Sequence, residues 1–237
     1  MKIDDFITSL KLGHESYDFT DEGEVKHYLG VEVKNHPNGS IELHQPHLIT
    51  RIIEALNFAD KVYLKQIPVG KPLLNKDLHG TPRKDDWHYR SVMGMMNFLE
   101  KSSRPDISMP VHQCARFSNS PMLSHEKAVK RIVKYLIGTR DRGIVFKPDF
   151  AKGLKCFVDA DFAGNWQNDN PQDASNLLSC TGFIIFYCGC PVFWKSKLQT
   201  EISLSTTEAE YIALSMAMRE LIPMMNLLKE ISVVLDI

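Results

Sequence analysis

At 237 residues, 43% hydrophobic and 24% charged, the chain is long enough to bury a core and to form one or two domains. Lys+Arg 28 almost balances Asp+Glu 29, so neither a polybasic tail nor an acidic disordered tract accounts for it. Five cysteines without a Cys-x-x-Cys pair argue against a disulfide framework and a thiolate zinc site. No leader pattern or long apolar run appears, so no membrane partner and an intracellular setting, cytoplasm or nucleus, are expected.

Phe6, Ile7 and Leu10 fall at helical spacing within residues 4–12. Residues 28–33 alternate as one strand, Pro37-Asn38-Gly39 supplies turn chemistry, and Ser40-Ile41-Glu42-Leu43-His44 returns as the second strand of a hairpin. A helix should follow Pro46, with Leu48, Ile49, Ile52, Ile53 and Leu56 on its apolar face. Residues 57–83 are polar and punctuated by Pro and Gly, as a linker would be. Helical spacing resumes at Asp85-Asp86, acids suited to a helix N-terminus, with Val92, Met93, Met96 and Leu99 turned inward. Pro105-Asp106 opens another helix reaching Phe117, and Ser124 and Gly138 bracket a third as N-cap and C′. After Gly153 the period becomes two. Residues 154–161, 181–187 and 192–203 (with a break) read as strands, Gly189-Cys190-Pro191 as a tight turn, and Thr206 starts a helix interrupted or kinked at Pro223.

Charge is unevenly spread. Residues 111–155 carry ten Lys and Arg against three acids, whereas residues 156–237 carry ten acids against four Lys and Arg. That suits a phosphate-binding surface beside a cation-binding one, and equally two ordinary solvated surfaces. Within the helix after Ser124, Val129, Ile132, Val133 and Leu136 form an apolar stripe, and Lys127, Lys130, Arg131 and Lys134 repeat its spacing two residues earlier. At about 100° per residue the two stripes stand nearly opposite. Four cations on one face point to phosphate contact, with a merely soluble face as the alternative.

Phe157-Val158-Asp159-Ala160-Asp161 places two carboxylates on one face of a strand. Such acids are either solvated or bound to a hard cation such as Mg²⁺, which needs only one or two carboxylates from the protein. Ser205 and Glu208 have capping-box spacing, which gives Glu208 a structural task. Glu210 stands about 200° around the helix from Glu208, free to face the sheet or to remain in solvent.

Six blocks together resemble copia-type retrotransposon Pol: His88-Tyr89-Arg90-Ser91-Val92, Ser103-Arg104-Pro105-Asp106-Ile107, Val133-Lys134-Tyr135-Leu136-Ile137-Gly138-Thr139, Val158-Asp159-Ala160-Asp161-Phe162-Ala163-Gly164, Trp194-Lys195-Ser196-Lys197-Leu198-Gln199 and Ser205-Thr206-Thr207-Glu208-Ala209-Glu210-Tyr211. Residues 23–53 similarly resemble the end of that family's palm and the start of its thumb. The resemblance implies an α+β chain, a helical thumb and connection region followed by an incomplete RNase H-like sheet with a packed helix. Its divisions would be residues 1–81 (palm end and thumb start), 82–152 (helical connection) and 153–237 (truncated RNase H-like domain). It implies catalytic and metal-ligand roles for Asp159 and Glu210, a lesser metal role for Asp161, two Mg²⁺ ions, and cleavage of the RNA strand of an RNA–DNA hybrid. The polymerase Tyr-x-Asp-Asp hairpin is absent and Asp4-Asp5 does not replace it, so polymerase activity is not expected. The family's later RNase H acids are missing too, and Asp236 lies too near the end to seat on a following strand. The expectation is therefore hybrid binding with at most residual Mg²⁺-dependent ribonuclease activity. The alternative is a non-catalytic nucleic-acid-binding scaffold from a decayed or domesticated element. In either case the remainder of Pol is an expected partner, because the strand bearing Asp159 would otherwise be an exposed edge.

Overall fold

The computed structural model describes residues 23–58, 63–70, 74–164, 166 and 176–235, together with Thr8 and Lys11, which are helical. The rest of the helix expected over residues 4–12, the Asp4-Asp5 pair and Asp236 lie outside the described residues. Mixed helix and antiparallel sheet make the fold α+β, as expected.

The first hairpin differs from its prediction. Leu29 and Gly30 both have positive φ (48 and 80), so the strand expected over 28–33 folds back on itself as β1 (His27–Tyr28) and β2 (Val31–Asn35), with Tyr28 opposite Val31. Two-residue turns of this kind favour Asn, Asp or Gly at both central positions, and an apolar Leu29 concealed this one. The Pro37-Asn38-Gly39 turn forms as expected. Gly39 takes φ 77, and the Asn38 side chain accepts the Ser40 N–H at 3.0 Å before β3 (Ile41–His44). Pro46 then starts α1 (Pro46–Ala55), its missing N–H harmless in the first helical turn.

Three further helices follow: α2 (Tyr89–Ser102), α3 (Ser108–Ala115), entered through a 3-10 turn at Pro105–Ile107, and α4 (Leu123–Gly138). Ile49 and Ile52 of α1, Met96 and Leu99 of α2, Val111 of α3 and Val129, Val133 and Leu136 of α4 belong to one buried cluster. A short strand absent from the sequence prediction, β4 (Ile144–Phe146), pairs with β3. Core and sheet thus both run across the 81/82 division.

Helix ends also move. α2 begins at Tyr89, because Asp85 is drawn instead to Lys130 at 2.5 Å. Met122, not Ser124, is the N-cap of α4. The His125 Nδ1 accepts the Met122 N–H at 2.9 Å, while Ser124 Oγ donates to Asp77 at 2.6 Å. Gly138 is the last helical residue and not C′.

The second sheet contains β5 (Leu154–Asp161), β6 (Cys180–Tyr187) and β7 (Cys190–Leu198), antiparallel in that order. Its tight turn is Cys188-Gly189, φ 51 and 78, one residue earlier than expected. α5 (Thr206–Leu235) runs through Pro223 without interruption. Pro223 and Arg219 are both on the exposed side, so water can satisfy the Arg219 carbonyl that proline leaves without its N–H. Ala209, Ala213 and Ala217 are fully buried along α5. Their small side chains bring the helix down on Cys156, Val158, Phe183 and Ile185.

Two hydrogen bonds dock this sheet on the helical unit. Trp194 Nε1 donates to the Glu100 carbonyl at 2.8 Å, and His112 Nε2 accepts the Leu198 N–H at 3.2 Å. Burial, then Arg116, Lys197 and Lys101, push the His112 pKa below the ordinary histidine value. The unfolded chain therefore takes up this proton at higher pH than the folded one, and stability falls as pH drops below the usual histidine range. Urea denaturation at pH 7.5 and 5.5 should show His112→Gln reducing this acid loss, on the order of 1 kcal/mol. An unchanged loss contradicts the docking role.

Candidate functional site

The two faces of α4 are as different as the sequence indicates. Val129, Ile132, Val133 and Leu136 are buried, whereas Lys127 is exposed and Lys130, Arg131 and Lys134 are half-buried. The cationic face is nevertheless not open. Residues 63–70 and 74–81 lie along α4 in the opposite direction, as a roof. Near the helix C-terminus the Lys65 N–H donates to the Lys134 carbonyl at 3.4 Å. A Cβ on Gly70 would stand 3.6 Å from the Arg131 Cδ. At the other end Asn75 O meets His125 Nε2 at 2.9 Å, and the Leu123 N–H reaches the Thr81 carbonyl at 2.9 Å. Between roof and helix lies a cleft of about 810 Å³, with Lys65, Lys127, Arg131 and Lys134 on its walls and Asp77 as the one carboxylate among the described lining residues.

Lys130 does not fit the role expected of it. Its Nζ is 2.8 Å from Glu126 Oε1 and 2.5 Å from Asp85 Oδ2, so two carboxylates already offset its charge. Glu126 is 1% exposed, and its other oxygen accepts the Lys84 and Asp85 N–H groups at 3.1 and 3.2 Å. Burial by itself raises the Glu126 pKa, but the Lys130 and Asp85 hydrogen bonds outweigh it and hold the carboxyl below the usual range. For Lys130 burial acts downward, and the hydrogen bonds to Asp85 and Glu126 raise the ammonium pKa instead. Sequence reasoning missed Glu126 although it stands four residues before Lys130, the spacing of a helical ion pair.

On β5 the alternation is strict. Leu154, Cys156, Val158 and Ala160 are half-buried and lie on the α5 side, while Lys155, Phe157, Asp159 and Asp161 are exposed on the other. Asp159 and Asp161 therefore share a face, as expected, but it is the face turned away from α5. It borders a second cleft, about 440 Å³, whose opposite wall includes Pro105, Ser108 and Met109. Asp161 folds over the turn after β5, its carboxylate filling the place where a Cβ on Gly164 would stand. Glu208 caps: its N–H reaches Ser205 Oγ at 3.1 Å, and its carboxylate accepts the Leu204 N–H at 2.7 Å.

Glu210 is exposed on α5 beside the buried alanine stripe. Farther along α5, Glu220 pairs with Lys195 of β7 at 3.1 Å. Asp159 and Asp161 thus lie on one side of the sheet and Glu210 over the other. Among the described residues no group of three His, Cys, Asp or Glu comes together to hold a metal ion. The described carboxylates by themselves therefore do not complete a two-Mg²⁺ centre.

Other residues of the sequence blocks are architectural. Arg104, 2% exposed, binds both oxygens of Asp106 at 2.9 and 2.8 Å and the Thr139 carbonyl at 2.9 Å, while the Tyr135 hydroxyl donates to Asp106 at 2.6 Å. Gln199, also buried, donates to Thr181 Oγ1 and to the Ala209 carbonyl, fixing the start of α5 against the sheet.

No family model and no solved structure matches the chain. Among curated proteins it is 31% identical over 221 residues to the retrovirus-related Pol polyprotein from transposon RE1 of Arabidopsis thaliana, covering 92% of this chain and 14% of that protein. It is 31% identical over 223 residues to the corresponding polyprotein from transposon TNT 1-94 of Nicotiana tabacum, covering 92% of this chain and 16% of the other. An uncharacterized mitochondrial protein of Arabidopsis thaliana is 31% identical over 208 residues, 87% of this chain and 81% of its own length. The chain therefore spans only a small part of the polyproteins it matches. Among the described residues no helix is long and apolar enough to cross a membrane.

The ion-pair geometry separates Glu126 from its partner. Lys130→Ala leaves the buried Glu126 carboxylate without its ammonium and should cost about 3 kcal/mol, whereas Glu126→Ala leaves Lys130 still paired with Asp85 and should cost about 1 to 2 kcal/mol for its two orphaned backbone N–H groups. Urea denaturation at neutral pH measures both, and equal costs would contradict a buried hub at Glu126.

Proposed function

The chain belongs to the copia-type, retrovirus-related Pol family of transposons, and from that premise we propose that it works as a nucleic-acid-holding segment of a Pol polyprotein. The carrying observation is α4, which buries one face in the core and presents Lys127, Arg131 and Lys134 on the other, none of them in an ion pair among the described residues. Unpaired cations along one helix suit a polymer of phosphates, which they position without reading its sequence. In this reading α1 to α4 correspond to thumb and connection, and β5 to β7 with α5 to the opening half of an RNase H-like fold. The chain's partner in this reading is the nucleic acid that Pol handles, an RNA–DNA hybrid or a single strand separated from one. Asp159 and Glu210, on opposite sides of the sheet, share no Mg²⁺ site among the described residues, and no cleavage step is assigned to them. The outer edge of β5, unpaired among the described residues, is where the remainder of Pol would join.

Fluorescence anisotropy with an RNA–DNA hybrid and with its separate strands tests the holding role. Affinity should fall steeply between about 50 and 200 mM salt, and the Lys127→Ala/Lys134→Ala double variant should reduce the log–log salt slope by about 2. Lys130→Ala should change affinity less than about twofold, since its charge is already offset. Binding insensitive to salt and to the double variant overturns the proposal. In a Mg²⁺ assay, hybrid cleavage that both Asp159→Asn and Glu210→Gln abolish would replace the holding role with a catalytic one.

A further inference from the structure

We infer that the roofed cleft beside α4 takes single-stranded nucleotide chain, phosphates inward, and excludes the duplex. The inference rests on the holding role proposed above and specifies which form of nucleic acid reaches the cations. The first argument is access. Residues 63–70 and 74–81 are hydrogen-bonded to α4 near both of its ends, through Lys65 at one and through Asn75, Asp77 and Thr81 at the other. Arg131 and Lys134 therefore stand half-buried beneath the roof, with Lys65 and Lys127 exposed at its rim, whereas a duplex presents its phosphates on a broad convex surface that needs open ground. The second argument is size. A volume of about 810 Å³ lies in the range of pockets that enclose small molecules or a few linked units, not a double helix.

The third argument is the lining. Lys65, Lys127, Arg131 and Lys134 alternate there with Val69, Leu74 and Ile132, so phosphates find cations while base faces find apolar walls. Arg131 adds an independent sign. Its Nε is buried and has no hydrogen-bond partner among the described residues, a costly state for a guanidinium nitrogen that an anionic oxygen would relieve. Lys130 also lines the cleft, but its charge is offset by Asp85 and Glu126.

The chemistry recognised is a nucleotide phosphate, supplied by a strand or by a free nucleotide. The test uses the full chain, a labelled short oligothymidine, a blunt duplex of equal length, and ATP as competitor, all at one salt concentration. The strand should bind about tenfold or more tighter than the duplex. Ala128→Phe, which adds bulk to the cleft wall without changing charge, should weaken strand binding about tenfold and spare duplex binding. Lys65→Glu, on the exposed roof and harmless to the core, should act in the same direction if Ala128→Phe fails to fold. Displacement of the strand by ATP at similar concentration assigns the cleft to single nucleotides, and failure of ATP to compete assigns it to chain; both keep the phosphate site. Equal affinity for strand and duplex, or strand binding unaltered in a folded Ala128→Phe and in Lys65→Glu, overturns the inference while leaving the holding role intact. No binding to either polymer overturns both.

Discussion

Glu126, a carboxylate with almost no solvent access in the first turn of α4, is held there only because every lone pair facing the protein has a donor. Lys130 approaches from the next turn, and the backbone of Lys84 and Asp85 closes from the side. An unpaired buried carboxylate would be far too costly to persist. This one requirement pulls the chain entering α2 against α4 and withdraws one cation from the surface. The segment just before it, anchored at Asp77 and Thr81, is thereby laid along the helix as a roof. The charge left over is consequently confined to a cleft and not spread on a convex face.

The second sheet obeys a different constraint. With α5 on one face of the sheet and the helical unit docked through β7, only the α5 side of β5 is committed to the core before any chemistry is considered. Apolar Cys156 and Val158 must meet α5, so strand alternation sends Asp159 and Asp161 to the opposite side. Alanines at 209, 213 and 217 draw the helix too close for a long side chain between them, leaving Glu210 at the flank. Acids gathered by sequence are thus parted by packing.

Much of this was legible in the residues. The period-two run over 154–161 gave β5 its bounds, and the apolar stripe of α4 gave its buried face. The blocks that carried the family resemblance turn out to be mainly joints: Arg104, Asp106, Tyr135 and Thr139 close one, Gln199 and Trp194 others. What escaped were features set by contacts distant in sequence or by atypical residues. Leu29 and Cys188 occupy positive-φ turn positions that small polar residues or glycine usually mark. β4 has three residues, too few to show a period. The roof is polar and irregular, so nothing in its pattern announces that it covers cations, and the Lys130–Asp85 pair joins residues 45 positions apart. The acid pair of β5 was read correctly as sharing a face, but which face could only follow from the docking of α5.

Amide hydrogen exchange on the full chain, with and without a short oligothymidine, tests the central claim most directly. The account expects slowed exchange in residues 63–70, 74–79 and 127–134, with residues 157–161 unaffected. Protection concentrated at 157–161, with the roof and α4 unchanged, would place the nucleic acid against the acidic strand and contradict it.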